Sequence, residues 1–230
     1  MTQRLEVQPR FPQKDGMRYR LVIFDFDGTL ADSFPMFLEN VGTVIEEFGL
    51  RRLDPQSLDE LRGCSAKEIM DRIGLPAWKV PLMVRSMRRL LAANVAQTRL
   101  FPGVEEMLHQ LIEGGCTLAI VSSNSEANIR QVLGPETAGK IGVYACGASL
   151  FGKASKFRKV LKKTGVRASE VLTVGDEIRD HEAAIEVGID FAAVSWGYTR
   201  AEALEARSPA IVLRRVEDIL SASLGTLTTQ

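Results

Sequence analysis

Two aspartates, Asp25 and Asp27, directly follow the short apolar run Leu21–Phe24 and precede Gly28 and Thr29. Four apolar residues are too few for a helix and are typical of a strand buried on both faces. In an open parallel sheet, ligands bind at the C-terminal ends of the strands. Because an unpaired buried charge is costly, two carboxylates at such an end favour a functional site over a solvated acidic turn.

Polar side chains also follow two later apolar runs. Residues 118–121 lead into Ser122, and residues 171–174 lead toward Asp176, with Asp180 one helical turn further on. Parallel strands place their C-terminal ends at one edge of a sheet. These groups can therefore converge with the two aspartates after the first strand, although they are far apart in sequence.

Several carboxylates at one edge repel one another, and a hard cation with oxygen ligands is the usual means of stabilising them. Mg²⁺ suits a site that also holds a phosphate. We therefore predict an Mg²⁺ site in which Asp25 and Asp176 supply carboxylates and Asp27 its backbone carbonyl, with Asp180 just behind the ligands. The alternative interpretation of the acids at 175–180 is a helix N-terminus whose charges suit the helix dipole.

A phosphoryl group at this edge also needs hydrogen-bond donors and positive charge. Ser122 precedes a predicted helix and can offer its hydroxyl and nearby backbone N–H groups. A helix-capping serine is the alternative, and Ser125 can fill that role instead. Lys153 can offset negative charge, with Lys156 as the alternative on the same lysine-rich helix. These residue types support phosphoryl transfer, which depends mainly on positioning and charge stabilisation.

Motifs of several rival chemistries are absent from the sequence. There is no Gly-x-Ser-x-Gly of a serine hydrolase, no phosphate-binding Gly-x-x-x-x-Gly-Lys-Ser/Thr loop and no Gly-x-Gly-x-x-Gly after a strand. The two histidines, His109 and His181, lie on predicted helices, where we expect them to face solvent.

The sequence from Asp25 to Leu30, Asp-Phe-Asp-Gly-Thr-Leu, resembles the first motif of the haloacid dehalogenase superfamily, whose members are mostly phosphatases. The resemblance implies that Asp25 attacks phosphorus and that Asp27 shuttles a proton. Dehalogenases of the family lack an acid at the second position, so Asp27 favours the phosphatase branch. Four neighbouring residues are expected to contact the substrate: Phe26, Thr29, Ser123 and Asn124.

Secondary motifs are most similar to those of phosphoglycolate-phosphatase-like hydrolases. They lie at residues 61–63 (Leu-Arg-Gly), 101–103 (Phe-Pro-Gly) and 194–198 (Val-Ser-Trp-Gly-Tyr). In the family the active-site lysine often precedes a proline, which neither Lys153 nor Lys156 does here. The resemblance extends from about residue 20 to residue 220.

Helical patterns fill the segment between the first strand and the next. Apolar residues recur at helical spacing over 34–48, Ser65 and Glu68 form a capping-box pattern, and a longer helix is predicted over 81–96. A crossover between parallel strands needs only about a dozen residues. Residues 33–99 are therefore predicted to form a small helical cap domain, an insertion that the family resemblance also implies.

Downstream of the cap, strand and helix patterns alternate, which predicts a parallel sheet covered by helices on both faces. The fold class is therefore α/β, a doubly wound parallel sheet with a Rossmann-like core and an inserted helical cap. Residues 20–32 and 100–220 are assigned to the core, residues 1–19 to a loose N-terminal tail and residues 221–230 to a frayed C-terminal tail. Two core helices are predicted to be short: 126–133 and 216–220.

The composition is that of an ordinary globular protein, with 45% hydrophobic residues and equal numbers, 29 each, of basic and acidic residues. This balance provides no basic field to recruit nucleic acid or an anionic membrane. No apolar run reaches the ~18 residues of a membrane span, and residues 1–20 lack the apolar centre of a secretory signal. Three isolated cysteines, Cys64, Cys116 and Cys146, suit reduced thiols in a cytoplasmic protein.

The leading hypothesis is an Mg²⁺-dependent phosphatase that hydrolyses a small phosphorylated metabolite through an aspartyl phosphate on Asp25, assisted by Ser122 and Lys153. A phosphomutase using the same intermediate and a catalytically weak binding or regulatory module are the alternatives. Arg62, between two predicted cap helices, can bind an anionic substrate group or be a surface arginine. We expect a monomer or weak homodimer with no nucleic-acid or membrane partner.

Overall fold

A six-stranded parallel sheet lies at the centre of the described chain. The computed structural model describes residues 18–147 and 152–225. Within these residues the strand order is β3-β2-β1-β4-β5-β6, which is the order of a doubly wound sheet. The predicted fold class is confirmed. The strands are β1 (Leu21–Phe24), β2 (Thr117–Val121), β3 (Val143–Ala145), β4 (Val171–Gly175), β5 (Asp190–Val194) and β6 (Ile211–Leu213).

Helices cover both faces of this sheet and fill the segment after β1. The helices are α1 (Phe34–Glu47), α2 (Pro55–Leu61), α3 (Ala66–Ile73), α4 (Val80–Ala93), α5 (Val104–Glu113), α6 (Glu126–Lys140), α7 (Lys153–Thr164), α8 (Ile178–Val187), α9 (Ala201–Glu205) and α10 (Asp218–Leu224). Residues of α5, α6 and α10 belong to one apolar cluster, and residues of α7, α8 and α9 belong to the other.

Strand β1 is buried on both sides, as its uninterrupted apolar sequence predicts. Val22 and Phe24 belong to the first apolar cluster, whereas Leu21 and Ile23 belong to the second. All four side chains are completely buried. Successive side chains of a strand point to opposite faces, so this run anchors both cores and fixes where the strand ends.

The segment between β1 and α5 is helical and has an apolar cluster of its own, which includes Leu61, Ile73 and Val80. The capping box predicted at Ser65 is present: the Ser65 side chain accepts from the backbone N–H of Glu68, and the Glu68 carboxylate accepts from the backbone N–H of Ser65. We refer to residues 34–97 as the helical insertion.

The two connections between the helical insertion and the sheet run side by side. Asp32 donates its backbone N–H to the carbonyl of Arg99 at 2.9 Å, and Phe101 donates to the carbonyl of Leu30 at 2.9 Å. Ala31 and Leu100 form an isolated antiparallel bridge between these bonds. The insertion is therefore attached to the core through one short, paired neck.

The helix predicted over 126–133 ends where expected, and a second helical segment follows it directly. Gly134 leaves the helical conformation (φ 74°, ψ 161°), but Pro135 restarts a helical segment that runs to Lys140. Proline is well accommodated in the first turn of a helix because its missing N–H has no partner there. The Gly-Pro pair therefore marks a kink between two segments, where we predicted the end of the helix.

Both tails were predicted to reach further into the chain than the structure allows. Tyr19 is buried, and its hydroxyl donates to Asp190 Oδ2 at 2.7 Å. At the other end, α10 runs to Leu224, and Ala222 and Ser223 are buried. The remaining parts of the two tail predictions, residues 1–17 and 226–230, lie outside the described residues.

One histidine is buried, although the sequence predicts that it is exposed to solvent. His181 is buried, and its ring packs against Phe191 at a centroid distance of 5.3 Å. The prediction that it faces solvent is wrong, because the α8 face that carries it packs on β5. Burial lowers the pKa of His181, which favours the neutral ring. No helix in the described ranges is long and apolar enough to cross a membrane.

Candidate active site

The polar residues singled out in the sequence converge at the C-terminal edge of the sheet, where the strand order reverses. β1 pairs with β2 on one side and β4 on the other. Asp25 and Asp27 follow β1, Ser122 follows β2 and Asp176 follows β4. A crevice at such a switch point is the usual ligand site of an open α/β sheet, so topology alone brings these groups together.

Three carboxylates form a compact buried cluster. Asp25, Asp176 and Asp180 each place one carboxylate oxygen within 4.8 Å of the others, and all three residues are buried. Burial, followed by the charges of Glu177, Asp25 and Asp180, raises the pKa of Asp176 well above its ordinary value. A divalent cation among these oxygens would stabilise the charged forms, so the cluster fits a metal site. Asp180 is itself a member of this cluster, whereas the sequence predicts that it lies just behind the ligands Asp25 and Asp176.

Lys153 is the positive charge inside this cluster. Its Nζ donates to Asp25 Oδ2 at 2.6 Å and also to Asp180 Oδ1. Burial alone would lower the pKa of Lys153, but Asp180 and Asp25 outweigh burial and raise it. Lys153 therefore stays protonated beside Asp25. Lys153 is the first residue of α7. Lys156 follows about one helical turn later and therefore lies on the same side of the helix.

Lys156 contacts backbone oxygens instead of carboxylates. Its Nζ donates to the carbonyls of Ser122 and Gly147 at 2.7 and 2.6 Å. Burial and the charge of Lys153 lower its pKa to about 8. Of the two candidate lysines, Lys153 is the one in contact with the carboxylate cluster, whereas Lys156 joins the ends of β2 and β3.

Asp27 is hydrogen-bonded to a residue outside the carboxylate cluster. Its carboxylate oxygens accept from Asn124 Nδ2 at 3.0 and 3.3 Å. Burial and the neighbouring charge of Asp25 raise the pKa of Asp27 to about 6, although hydrogen bonds from Ser33 and Asn124 act in the opposite direction. A carboxyl group with that pKa can both donate and accept a proton near neutral pH.

Asp176 is held by a side-chain hydroxyl on one oxygen and by a backbone N–H on the other. Thr29 Oγ1 donates to Asp176 Oδ1 at 2.7 Å, and the backbone N–H of Tyr198 donates to Oδ2 at 2.7 Å. A Cβ at Gly28 or at Gly197 would overlap the Asp176 side chain, and Gly28 also has a φ of 78°, which favours glycine. The two glycines thus leave the space that this carboxylate occupies.

The serine after β2 is buried and does not cap the following helix. Ser122 Oγ accepts the backbone N–H of Asn124 at 3.1 Å. The α6 cap is Ser125, whose side chain accepts from the backbone N–H of Asn128. The capping alternative is therefore filled by Ser125, which leaves the Ser122 hydroxyl hydrogen available to another acceptor.

Two residues expected to contact substrate have side chains committed to the protein. The Phe26 ring is completely buried in the first apolar cluster, so only its backbone could reach a substrate. Its N–H donates to Asp25 Oδ1 at 2.7 Å. The Thr29 hydroxyl orients Asp176, as described above, rather than facing a substrate. Ser123 is half-buried, and Asn124 orients Asp27.

Comparison with known proteins agrees with this geometry. A model of the family described as haloacid dehalogenase-like hydrolase matches residues 22–194. The chain belongs to this family. A phosphoglycolate phosphatase from Synechococcus elongatus is 34% identical over 202 residues, which cover 87% of this chain and 95% of the relative. One from Xanthomonas campestris pv. campestris is 31% identical over 79% of this chain and 86% of the relative. The chain is thus a phosphatase of the haloacid dehalogenase-like family, which acts on phosphoric monoesters.

Solved structures show the same fold. A putative phosphoglycolate phosphatase from Lactobacillus plantarum superposes with a TM-score of 0.76 at 22% identity, covering 89% of this chain and 99% of that one. The haloacid dehalogenase-like protein SP0104 from Streptococcus pneumoniae gives a TM-score of 0.73 at 20% identity, covering 89% and 98%.

In this haloacid dehalogenase-like phosphatase, Arg62 lies against the core. Its Nε donates to the carbonyl of Tyr198 at 2.9 Å and its NH2 to that of Gly197 at 3.1 Å. The guanidinium also stacks over the Phe34 ring, 4.7 Å from the centroid. The loop that carries Arg62 reaches the sheet edge, where its guanidinium binds protein carbonyls.

Sequence reasoning assigned no role to two residues beside the site. Tyr198 supplies the backbone donor to Asp176, and the motif at 194–198 was the only signal for it. Arg179 is paired with Glu177, with its NH2 2.5 Å from Glu177 Oε1. Although burial alone would lower the pKa of Arg179, Glu177, Asp180 and Asp25 raise it, so it adds a permanent positive charge beside the cluster.

Proposed function

We propose that this phosphatase is Mg²⁺-dependent and hydrolyses a small phosphorylated metabolite through an aspartyl phosphate on Asp25. The observation that carries the proposal is the setting of Asp25, which is buried at the end of β1 and paired with Lys153 at 2.6 Å. It also lies within 4.8 Å of the Asp176 and Asp180 oxygens. A carboxylate that is positioned and paired in this way is suited to attack phosphorus.

The reaction proceeds in two displacements at phosphorus. Asp25 forms a bond to phosphorus while the bond to the leaving oxygen breaks, and Asp27 donates its proton to that oxygen. Asp27 then takes a proton from water, which attacks phosphorus and releases phosphate from Asp25. Asn124 holds the Asp27 carboxylate throughout. The pKa of about 6 lets Asp27 exchange a proton in both steps.

Groups that follow β1, β2 and β4, together with Lys153 of α7, stabilise the charge of the transferred phosphoryl group. Asp25, Asp176 and the Asp27 carbonyl would hold Mg²⁺, which supplies the positive charge that phosphoryl oxygens require. Lys153 contributes a second positive charge from α7, and Ser122 donates its hydroxyl to a phosphoryl oxygen. Ser123 follows Ser122 directly and adds a second hydroxyl group after β2.

The substrate we propose is 2-phosphoglycolate. The support is similarity: the Synechococcus and Xanthomonas relatives, at 34% and 31% identity over most of both chains, are named phosphoglycolate phosphatases. The helical insertion acts as the cap domain that covers the sheet edge and excludes water during transfer. Arg62 sets substrate choice from its place where this cap meets the core.

Phosphate release from a panel of phosphorylated metabolites, with and without Mg²⁺, tests this function. Asp25→Asn should lower kcat by more than about 10³-fold, and Asp27→Asn by about 10²–10⁴-fold, with unchanged circular dichroism. Asp71→Asn, at an exposed acid of the insertion, is the matched control and should retain full activity. Asp176→Ala should lose activity through weaker Mg²⁺ binding.

The following results would contradict parts of the proposal. Wild-type rates in Asp25→Asn would exclude it as the nucleophile, and full activity in excess chelator would exclude Mg²⁺. No release from any compound with metal bound would favour a binding module, and transfer of phosphate to a second hydroxyl would favour a mutase. Assayed at saturating Mg²⁺, Arg62→Ala should raise the KM for 2-phosphoglycolate and barely change hydrolysis of a generic aryl phosphate. An equal loss on both substrates would place Arg62 in the chemistry or the fold.

A further inference from the structure

The loop that follows β5 contacts a candidate metal ligand directly. We call residues 196–200 the β5 loop. The backbone N–H of Tyr198 donates to Asp176 Oδ2 at 2.7 Å. A Cβ at Gly197 would overlap the Asp176 side chain, so the backbone can approach this carboxylate only because residue 197 is glycine. Trp196 Nε1 donates to the carbonyl of Thr29 at 3.2 Å, which ties the loop to the residues after β1.

The same loop is bound by the helical insertion. The carbonyls of Gly197 and Tyr198 accept two hydrogen bonds from the Arg62 guanidinium, at 3.1 and 2.9 Å. In return, the backbone N–H of Arg200 donates to the carbonyl of Arg62 at 2.9 Å. An ion pair joins Arg200 to Asp59 of α2. These contacts link the loop after α2 to the loop after β5 in both directions.

The Tyr198 side chain reaches a second part of the insertion. Its ring lies 5.0 Å from the Phe34 ring and 5.5 Å from the Phe37 ring, centroid to centroid, and both phenylalanines belong to α1. Its hydroxyl lies 3.0 Å from Ser33 Oγ. One residue of the core therefore contacts Asp176 through its N–H, Arg62 through its carbonyl, and α1 through its side chain.

We propose that the β5 loop is a positioning element that couples the placement of the helical insertion to the orientation of Asp176. The Tyr198 N–H, which donates to Asp176, and the Tyr198 carbonyl, which accepts from Arg62, lie in one short stretch of backbone. If the insertion moves away, the loop loses its hydrogen bonds to the insertion, and the N–H that donates to Asp176 is no longer held in place. The site then binds metal more weakly, and by reciprocity bound metal holds the insertion against the core. This inference rests on the proposed metal role of Asp176.

Metal affinity measured without substrate tests the coupling. Mn²⁺, an oxygen-ligated probe, is titrated into the full chain and followed by electron paramagnetic resonance. Arg62→Ala should weaken Mn²⁺ binding about 5-fold or more, the lower end of typical coupling between sites. Arg62 donates to none of the clustered carboxylates, so a role limited to binding substrate predicts no change. Arg72→Ala, which removes an exposed ion pair with Glu60 inside the insertion, is the matched control and should bind as wild type.

A second variant and a second measurement guard against a simple folding defect. Arg200→Gln removes the Asp59 ion pair of a partly exposed side chain and keeps the backbone contacts, so it should fold and weaken Mn²⁺ binding in the same direction. In wild type, Mn²⁺ should slow hydrogen exchange in α1 and α2, and this protection should shrink in Arg62→Ala.

The outcomes separate the two proposals. Wild-type Mn²⁺ affinity in folded Arg62→Ala and Arg200→Gln would overturn the coupling and leave the proposed phosphatase mechanism standing. Absence of Mn²⁺ binding by the wild-type protein would overturn the metal site, and the coupling with it. Weaker binding in Arg72→Ala to the same degree as in Arg62→Ala would also overturn the coupling, because the effect would then be a general loosening of the insertion.

Discussion

Replacing Lys153 with methionine should destabilise the folded protein in a way that depends on pH. Methionine keeps the length and apolar stem of lysine but removes the charge that pairs with Asp25 at 2.6 Å and with Asp180. At an effective dielectric of about 20, one such contact is worth roughly 6 kcal/mol of Coulomb attraction. Desolvation offsets part of this, and breaking a buried pair costs about 3–5 kcal/mol. That cost is a large share of a domain stability of about 5–15 kcal/mol.

The pH dependence follows from Asp180. Its pKa is already raised to about 7 by burial, against the lowering effect of Lys153. Removing Lys153 raises this pKa further, so the folded variant binds more protons than the unfolded chain below that value. Its stability should therefore recover as pH falls from 8 to 5.5. In the wild type, Lys153 has a pKa raised above its ordinary value and stays charged across this range, so it offsets the charge of the neighbouring carboxylates wherever they are ionised.

Urea unfolding followed by circular dichroism, in excess chelator at pH 8 and pH 5.5, measures both effects. Lys162→Met, at an exposed lysine of the same helix, is the control and should change stability by less than about 0.5 kcal/mol. A Lys153→Met variant as stable as wild type at pH 8 would show that the two carboxylates do not need this cation. A loss of stability that is the same at both pH values would mean that lost packing, not unpaired charge, is responsible.

Three further outcomes are expected. Asn124→Ala removes a hydrogen bond that lowers the pKa of Asp27, so that pKa should rise by about one unit, since a hydrogen bond to a charge is worth roughly 1.5 kcal/mol. The fall of kcat/KM at high pH, where Asp27 can no longer protonate the leaving oxygen, should then move to higher pH, and a move to lower pH would contradict the general-acid role. Gly197→Ala places a methyl group against Asp176 and should lower unfolding stability by about 1–3 kcal/mol, measured as a shift in the urea midpoint. Tyr19→Phe removes the bond to Asp190 and should cost about 1 kcal/mol in the same assay, which an unchanged midpoint would refute.

The sequence was most informative where one local pattern determines structure. The apolar run before Asp25 predicts a strand buried on both faces, and the pattern at Ser65 and Glu68 predicts a capped helix. Both are present. Once the sheet is parallel, its topology requires the ends of β1, β2 and β4 to lie side by side. For this reason the convergence of Asp25, Ser122 and Asp176 could be predicted although they are far apart in sequence.

The partners of each polar side chain could not be predicted in the same way. Thr29 donates to Asp176 across 147 residues of sequence, and Asn124 donates to Asp27 across 97. Such pairs depend on side-chain directions at the ends of different strands, which no local pattern encodes. Thr29 and Asn124 are predicted from the sequence only as substrate contacts, and the structure adds their hydrogen bonds to the two aspartates.

Burial was misjudged where tertiary packing decides it. Tyr19 looks like part of a polar tail, yet its ring enters the core and its hydroxyl reaches Asp190. His181 lies on a helix with charged neighbours, and its burial depends on how α8 packs on β5. At α6 the breaker signal holds, since Gly134 ends one helical segment, but no sequence pattern indicated that Pro135 starts a second one directly after it.

The paired neck has a consequence for how this chain can change. Because Leu30 and Phe101 are joined by a backbone hydrogen bond, the more than sixty residues between them begin and end at nearly one point in space. A tight turn could replace the insertion, and so could a helical unit of another size. Replacement by another helical unit would change the entropy of loop closure only slightly, because that entropy grows slowly with loop length. The residues after β1, β2 and β4 would keep their places in either case. We therefore expect the sheet to carry the catalytic residues and the insertion to select the substrate, and grafting the segment between residues 31 and 100 from a relative tests whether substrate preference is transferred with it.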